Sequence, residues 1–280
     1  MELSVTISSM GTASTPIVFH GSYPEQIWRA KTLGYNQVEL HIRDPKSLDL
    51  EPIIRALEET CVQVSTLGTG QAYVADRLSF SSFNVETRQE AVQRIRDHIQ
   101  LASWLGAKVI IGSIKGVLPP GGRERKEAYC FVVDCLKDCL NEAERRGIHL
   151  SLEAINRYET NFLNTAAETV HFMEQFESKQ LGLLLDTFHM NIEEISLEET
   201  VRTYGKYLSH IHVADSNRQA PGRGHIDFPK LIEELRKTGY RGALGLECLP
   251  LPNPQLAAQQ GLDYLGGLLT PKTWEQFRFY

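Results

Sequence analysis

The chain reads as an α/β protein, a single (β/α)8 barrel, on three observations. Eight short apolar runs have the length and composition of strands. Segments with helical periodicity separate them, and acidic or imidazole side chains recur at the ends of the last four runs.

The expected strands are Leu3–Ile7, Gln37–Ile42, Val62–Leu67, Lys108–Ile114, His149–Glu153, Leu181–Asp186, Leu208–Val213 and Ala243–Glu247. Between them lie EQIWRAKTLG, LEPIIRALEETC, ETRQEAVQRIRDHIQLASWLG and, later, FPKLIEELRKTG, each with apolar residues recurring at helical spacing. Gly34, Gly106, Gly147 and Gly239 sit where a left-handed residue would end a helix before the next strand. Asp227 is placed to cap the helix beginning near Pro229. Strands alternating with helices are parallel and carry their C-terminal ends on one face. A doubly wound open sheet is the other architecture for such an alternation, but no G-x-G-x-x-G turn follows the first strand. With 280 residues and no composition break or low-complexity linker, residues 1–280 are expected to form one domain, the last ~25 being a C-terminal helix and tail.

Composition narrows the function. The net charge is −6 with acids and bases interspersed, which offers no basic patch for a nucleic acid. No apolar run approaches the ~18 residues of a membrane span, and MELSVTISSM reads as a first strand rather than a signal peptide. Five cysteines, an odd number, suit a reducing cytoplasm; Cys130, Cys135 and Cys139 match no zinc spacing and are expected to be buried small hydrophobes.

The strand ends carry the chemistry. Glu153, Asp186, His212 and Glu247 end the fifth to eighth strands, where barrel active sites lie. Three oxygen donors and one nitrogen donor converging there make a metal site, and an oxygen-rich set with one imidazole suits Mn2+, with Mg2+ or Co2+ as alternatives. The loops on that face, among them GTGQAYVADRLSFSSFN, AINRYETNFLNT and ADSNRQAPGRGHIDF, are longer and more polar than simple connections require. His210, on the strand of His212 and one layer deeper, is expected to be a hydrogen-bonded interior residue. His20 and His41 stand as either metal-site or loop residues, and His225 with Asp227 as a second cluster.

Four strings, EAINRYETNFLNT, LLLDTFHMNIEE, HIHVADSNRQAPGRGHIDF and LECLPLP, resemble the D-tagatose 3-epimerase group of the xylose-isomerase-like TIM barrels. The resemblance covers nearly the whole chain. Within that group, GTGQAYVADRLS, HIRDP, the NRYET loop and ECLPLP most resemble the epimerases of 5-keto-L-gluconate, which interconvert that acid with D-tagaturonate. The resemblance implies one divalent metal on Glu153, Asp186, His212 and Glu247, and substrate contacts from Glu159, His189 and Arg218. The chain departs from the pattern at its C-terminus, where NPQLAAQQGLDYLGGLL is followed by TPKTWEQFRFY; a homo-oligomer, dimer or tetramer, stays open.

The implied reaction, epimerisation beside a ketone, removes a C–H proton and returns one to the opposite face through an enediolate. Glu153 and Glu247 are the expected base and acid, their roles exchanging between directions. His189 and Arg218 are the expected donors to the enediolate oxygens, and Glu159 orients His189 or a terminal hydroxyl. For a sugar acid, a cation would meet the carboxylate: Arg43, Lys115 or Arg223, with Gln71 a further candidate contact. Arg43 could equally pair with Asp44 or Glu39. The alternatives are a ketose 3-epimerase acting on neutral sugars (D-tagatose, D-fructose or D-allulose, L-ribulose), an aldose–ketose isomerase, and a non-catalytic sugar-binding barrel. A DNA-cleaving zinc barrel is disfavoured by the negative charge.

Overall fold

Helical returns separate the staves of the barrel, and the strand order around it is sequential. The computed structural model describes residues 1–12 and 14–270. Its strands are β1 (Glu2–Ser8), the two-residue β2 (Phe19–His20), β3 (Gln37–His41), β4 (Gln63–Gly68), β5 (Lys108–Ile111), β6 (Leu150–Glu153), β7 (Leu181–Asp186), β8 (Leu208–Val213) and β9 (Ala243–Leu246). All pairings are parallel, and β1 pairs with both β3 and β9, Val5 opposite Val38 and Leu246. The sheet therefore closes into an eight-stranded barrel, with β2 an extra stub beside β1.

The helices are α1 (Tyr23–Leu33), α2 (Leu50–Thr60), α3 (Gly70–Asp76), α4 (Val85–Leu105), α5 (Gly122–Arg146), α6 (Ala166–Met173), α7 (Thr187–Glu193), α8 (Leu197–Tyr204), α9 (Phe228–Lys237) and α10 (Pro254–Leu269). Gly34, Gly106 and Gly147 cap α1, α4 and α5 in the left-handed conformation, and Gly239 takes positive φ one residue past the Thr238 cap of α9. Asp227 caps α9 by accepting from the Lys230 amide at 3.2 Å. No described helix is long and apolar enough to cross a membrane.

Two expectations shift. The fourth stave stops at Ile111 instead of Ile114, because Gly112 leaves the extended region (φ −101°, ψ −117°) and Ser113–Lys115 winds into a 3-10 turn. Cys135 and Cys139, four residues apart on α5, face the core, whereas Cys130 is exposed because it falls on another side of the helix. The tail beyond Thr270 lies outside the described residues.

Alternation within the strands divides two environments. In β1, Val5 and Ile7 belong to the fully buried apolar core, while Ser4 bonds to Ser65 and Thr6 donates to the Leu246 carbonyl. Further round, Ser209 bonds to Ser151 at 2.8 Å. The barrel interior is thus lined in several places by paired hydroxyls, and the larger apolar side chains fill the layer between sheet and helices. Tyr35, 1% exposed, ties the final helix to this scaffold by donating to the Ala258 carbonyl at 2.8 Å. We expect Tyr35→Phe to lower the urea-unfolding free energy by about 1 kcal/mol. An unchanged midpoint would show that this bond contributes nothing to stability.

Candidate metal centre

The four strand-end side chains meet at the C-terminal mouth of the barrel. Each of Glu153, Asp186, His212 and Glu247 offers one donor atom, and these atoms all lie within 4.8 Å of one another. His212 Nδ1 stands 3.6 Å from Glu247 Oε2 and 3.9 Å from Glu153 Oε1. All four residues are buried. Asp186 uses Oδ1 to cap α7, accepting from the Phe188 amide at 2.7 Å. Its Oδ2 and the His212 Nδ1 are buried without a hydrogen-bond partner.

Those orphaned atoms are a direct test of whether the residues fit a cation. Three buried carboxylates this close repel one another, and an unpartnered buried acceptor loses solvation without recompense. Burial, with Asp186 and Glu153 alongside, pushes the Glu247 carboxyl well above its ordinary pKa against the pull of His212 and Arg218. Burial also opposes a charged imidazole at His212, yet Glu39, Glu247 and Glu153 outweigh it and hold that pKa well above the ordinary value. Both shifts express a local shortage of positive charge. A divalent cation on these four donors relieves it, and the residues fit such a group.

Clearance is built into the neighbouring strands. A Cβ on Gly112 would lie 2.4 Å from Glu153 Oε2, and one on Gly245 would lie 2.9 Å from His210 Nε2 and 3.0 Å from the His212 ring. Glycine lets the backbone pass close to both the Glu153 carboxylate and the imidazoles.

The residues expected to contact substrate assemble beside the four donors. His189 Nε2 lies 3.8 Å from Glu153 Oε1 and 3.9 Å from Asp186 Oδ2. The expected link from Glu159 to His189 runs through Asn156, which the sequence reading missed: its amide nitrogen meets His189 Nδ1 at 2.7 Å and Glu159 Oε1 at 3.1 Å. An amide nitrogen only donates, so His189 keeps Nε2–H for the cavity. Arg218 donates to Glu159 Oε1 at 2.8 Å, lies 3.8 Å from Glu247 Oε2 and sits over the Phe188 ring at 4.6 Å. It holds a left-handed backbone (φ 60°) in a loop organised by buried Asp215, whose carboxylate accepts the Ser216, Gly222 and Ile226 amides. Burial disfavours the Arg218 charge, but Glu247, Asp186 and Glu159 more than restore it.

Glu153, Glu159, His189, His212, Arg218 and Glu247 border a cavity of about 320 Å³, within the range of small-molecule sites. Gln71 is in its wall, donating to Ser8 Oγ and to the Met10 carbonyl, with its own Oε1 buried and unpartnered. His41 is also in the wall, 3.8 Å from Glu247 Oε1, whereas His20 is not. The other cations are placed elsewhere. Arg43 pairs with Asp76, neither with Asp44 nor with Glu39, because α3 brings Asp76 beside it. Arg223 donates to Gln260. Lys115 is fully buried behind the Gly112–Ser113 wall, its Nζ 3.5 Å from the Gly112 carbonyl, and burial lowers its pKa to about 8 against the pull of Glu153 and Glu159. His225 bonds to Ser216 at 3.0 Å and forms no second cluster with Asp227.

The residue least foreseen is Glu39 on β3. Fully buried, it accepts from His212 Nε2 (3.0 and 3.1 Å), His210 Nε2 (2.9 Å), His41 Nε2 (2.6 Å) and the Thr66 hydroxyl. Burial alone would raise its pKa, but the three imidazoles hold it well below the ordinary carboxylate range. His210 is the hydrogen-bonded interior residue its depth implies. Glu39 and His41 left a signal, two polar residues alternating in a strand expected to be apolar.

Comparison with known proteins points one way. The family described as the xylose isomerase-like TIM barrel matches residues 27–267. A D-psicose 3-epimerase of Ruminiclostridium cellulolyticum is 41% identical over 185 residues, 65% of this chain and 63% of that protein, so the match spans less than two thirds of its length. The 3-dehydro-D-guloside 4-epimerase of Escherichia coli K12 is 30% identical over 79% of this chain and 86% of its own. Among solved structures, a 3-keto-D-glucoside 4-epimerase from E. coli superposes with a TM-score of 0.78 at 26% identity, covering 94% of this chain and 99% of that one.

A metal that binds only the folded site stabilises it by mass action, about 2.7 kcal/mol at a hundredfold over Kd. Adding Mn2+ to chelator-treated protein should therefore raise the melting temperature by several degrees, and Glu153→Gln or Asp186→Asn should abolish the rise. Identical melts with and without Mn2+, Mg2+ or Co2+ would remove the metal centre.

Proposed function

Since this chain belongs to the xylose isomerase-like TIM barrel family and its named relatives are epimerases, that is isomerases, we propose that it is a metal-dependent carbohydrate epimerase inverting the carbon beside a ketone. One observation carries the reading. Two carboxylates, Glu153 and Glu247, reach a shared buried donor cluster from different staves and both border the same cavity, with imidazole and guanidinium donors beside them.

The cation held by Glu153, Asp186, His212 and Glu247, for which Mn2+ is our choice, supplies Lewis-acid stabilisation of the negative charge that develops during reaction. The chain's own residues do the rest. One glutamate takes the C–H proton, leaving its electron pair delocalised over the neighbouring carbonyl as an enediolate. The other, protonated, returns a proton to the opposite face, and the roles exchange in reverse. His189 Nε2–H and the Arg218 guanidinium donate toward the oxygens on which that charge appears. Being fixed before the reaction, they need no reorganisation during it. Asn156 holds His189 in the required tautomer, and Glu159 holds Arg218.

Within this class we assign a keto-acid, the 5-keto-L-gluconate/D-tagaturonate pair. The support is where the resembling strings fall: GTGQAYVADRLS supplies Gly68, Thr69, Gly70, Gln71, Val74 and Ala75 to the cavity wall, and the NRYET loop supplies Glu159. Arg218 lines the cavity, and it is the cation we assign to a substrate carboxylate. The second reading is a neutral ketose, favoured by the named relatives and by the engagement of Arg218 with Glu159.

Comparing kcat/KM on 5-keto-L-gluconate, D-tagaturonate, D-tagatose, D-fructose and L-ribulose should show a preference for the acids. A tenfold or greater preference for a neutral ketose would transfer the assignment to the second reading. Solvent deuterium should enter at the inverted carbon; exclusive labelling at C1 or C2 would indicate an aldose–ketose isomerase instead. Glu247→Gln removes a proton carrier worth about 10²–10⁴-fold in rate. Turnover near the wild-type rate in that variant would refute the two-carboxylate mechanism.

A further inference from the structure

We propose that Glu39 is the positioning residue of this centre: it fixes the tautomer of the metal-ligating His212 and holds His41 against Glu247 from one buried carboxylate.

The hydrogen-bond inventory leaves little freedom. An ionised carboxylate is acceptor-only, so every group bonded to Glu39 must donate. Those groups are Nε2 of His212, Nε2 of His210, Nε2 of His41 and the Thr66 hydroxyl. With its hydrogen on Nε2, the His212 ring presents an Nδ1 lone pair toward the Glu153 and Glu247 oxygens, and that atom has no other partner. A carboxylate behind a ligating imidazole fixes the ring and raises its basicity, and losing such a partner commonly costs 10–100-fold in metal affinity. Glu39 serves a second group too. His41 Nε2, 2.6 Å from Glu39 Oε1, is 3.8 Å from Glu247 Oε1 and borders the cavity. The same carboxylate therefore places a metal ligand and an imidazole beside one of the two proton-carrying glutamates.

The surroundings are shaped for this arrangement. Glu39 and His210 are at most 1% exposed, so water cannot substitute for a lost partner. Gly245 lies opposite His212 in the β8–β9 register, and a Cβ there would come within 3.4 Å of Glu39 Oε2 as well as crowding both rings. Replacing Glu39 by Gln keeps its shape but turns one oxygen into an NH2 that faces an Nε2–H. The clash is relieved by a ring adopting the Nδ1–H tautomer, which at His212 removes the lone pair from the donor cluster.

The inference rests on the metal-centre reading, and two measurements separate them. In Mn2+ titration of chelator-treated protein, Glu39→Gln should bind 10–100-fold more weakly than wild type while its circular dichroism is retained. In Mg2+-loaded wild-type protein carrying 15N-histidine, His212 should show a protonated Nε2 with a slowly exchanging hydrogen and an unprotonated Nδ1. The second measurement needs no variant, so it decides the matter even if Glu39→Gln fails to fold. Wild-type protein that binds no metal defeats the metal centre itself. Wild type that binds with His212 protonated on Nδ1 removes that imidazole from the metal centre, whereas Glu39→Gln binding equally well, or a rapidly exchanging His212 Nε2 hydrogen, defeats only the role of Glu39.

Discussion

The mouth of this barrel concentrates negative charge on largely buried carboxylates, and the surrounding structure is organised around that constraint. Glu153, Asp186 and Glu247 share one buried cluster, and Glu39 lies directly beneath. Ionised carboxylates in a low-dielectric interior persist only when paired or ligating. Glu39 is satisfied by imidazole and hydroxyl donors of the protein itself. In the upper layer Asp186 Oδ2 has no partner, and burial pulls Glu247 toward protonation. The protein neutralises the lower layer internally, whereas the upper layer keeps an unpartnered carboxylate oxygen and an unpartnered imidazole nitrogen that fit a cation.

The scaffold keeps the two layers in register. Parallel pairing from β1 round to β9 puts strand ends at one rim, and closure through β1 and β9 leaves no free edge by which the ring could open. Alternation then sets depth: His210 and His212 differ by two residues and therefore by one layer on the same side of β8. Strand ends hold the four clustered side chains, whereas Glu159 and Arg218 come from loops stiffened by their own hydrogen bonds and His189 from α7. Asp215 gathers three amides to set the Arg218 loop, and Asn156 couples the loop after β6 to α7. Specificity can drift in those loops while the donor cluster stays in place.

Much of the site is legible because strand-terminal chemistry is local. Glu153, Asp186, His212 and Glu247 each close an apolar run, and parallel βα units bring such ends together whatever the loop details. Asn156 was hidden because its role depends on where α7 places His189. Arg43 illustrates the converse. It lies at a strand end and reads as a cavity cation, yet α3 sets Asp76 against it and takes it out of the site. Charge at the rim is cheap to redirect, since any acidic neighbour within reach competes for an exposed guanidinium.

From sequence alone follow the barrel, its sequential parallel order and the clustering of Glu153, Asp186, His212 and Glu247 at one rim, because periodicity and strand-end position are properties of short segments. Tertiary structure alone decided that Glu39 underlies the centre, that Asn156 stands between Glu159 and His189, and that Lys115 is buried behind the cavity wall. Those relations join residues far apart in the chain, such as Glu39 with His210 and His212, and no local pattern encodes which distant partners a closed barrel brings into hydrogen-bond range.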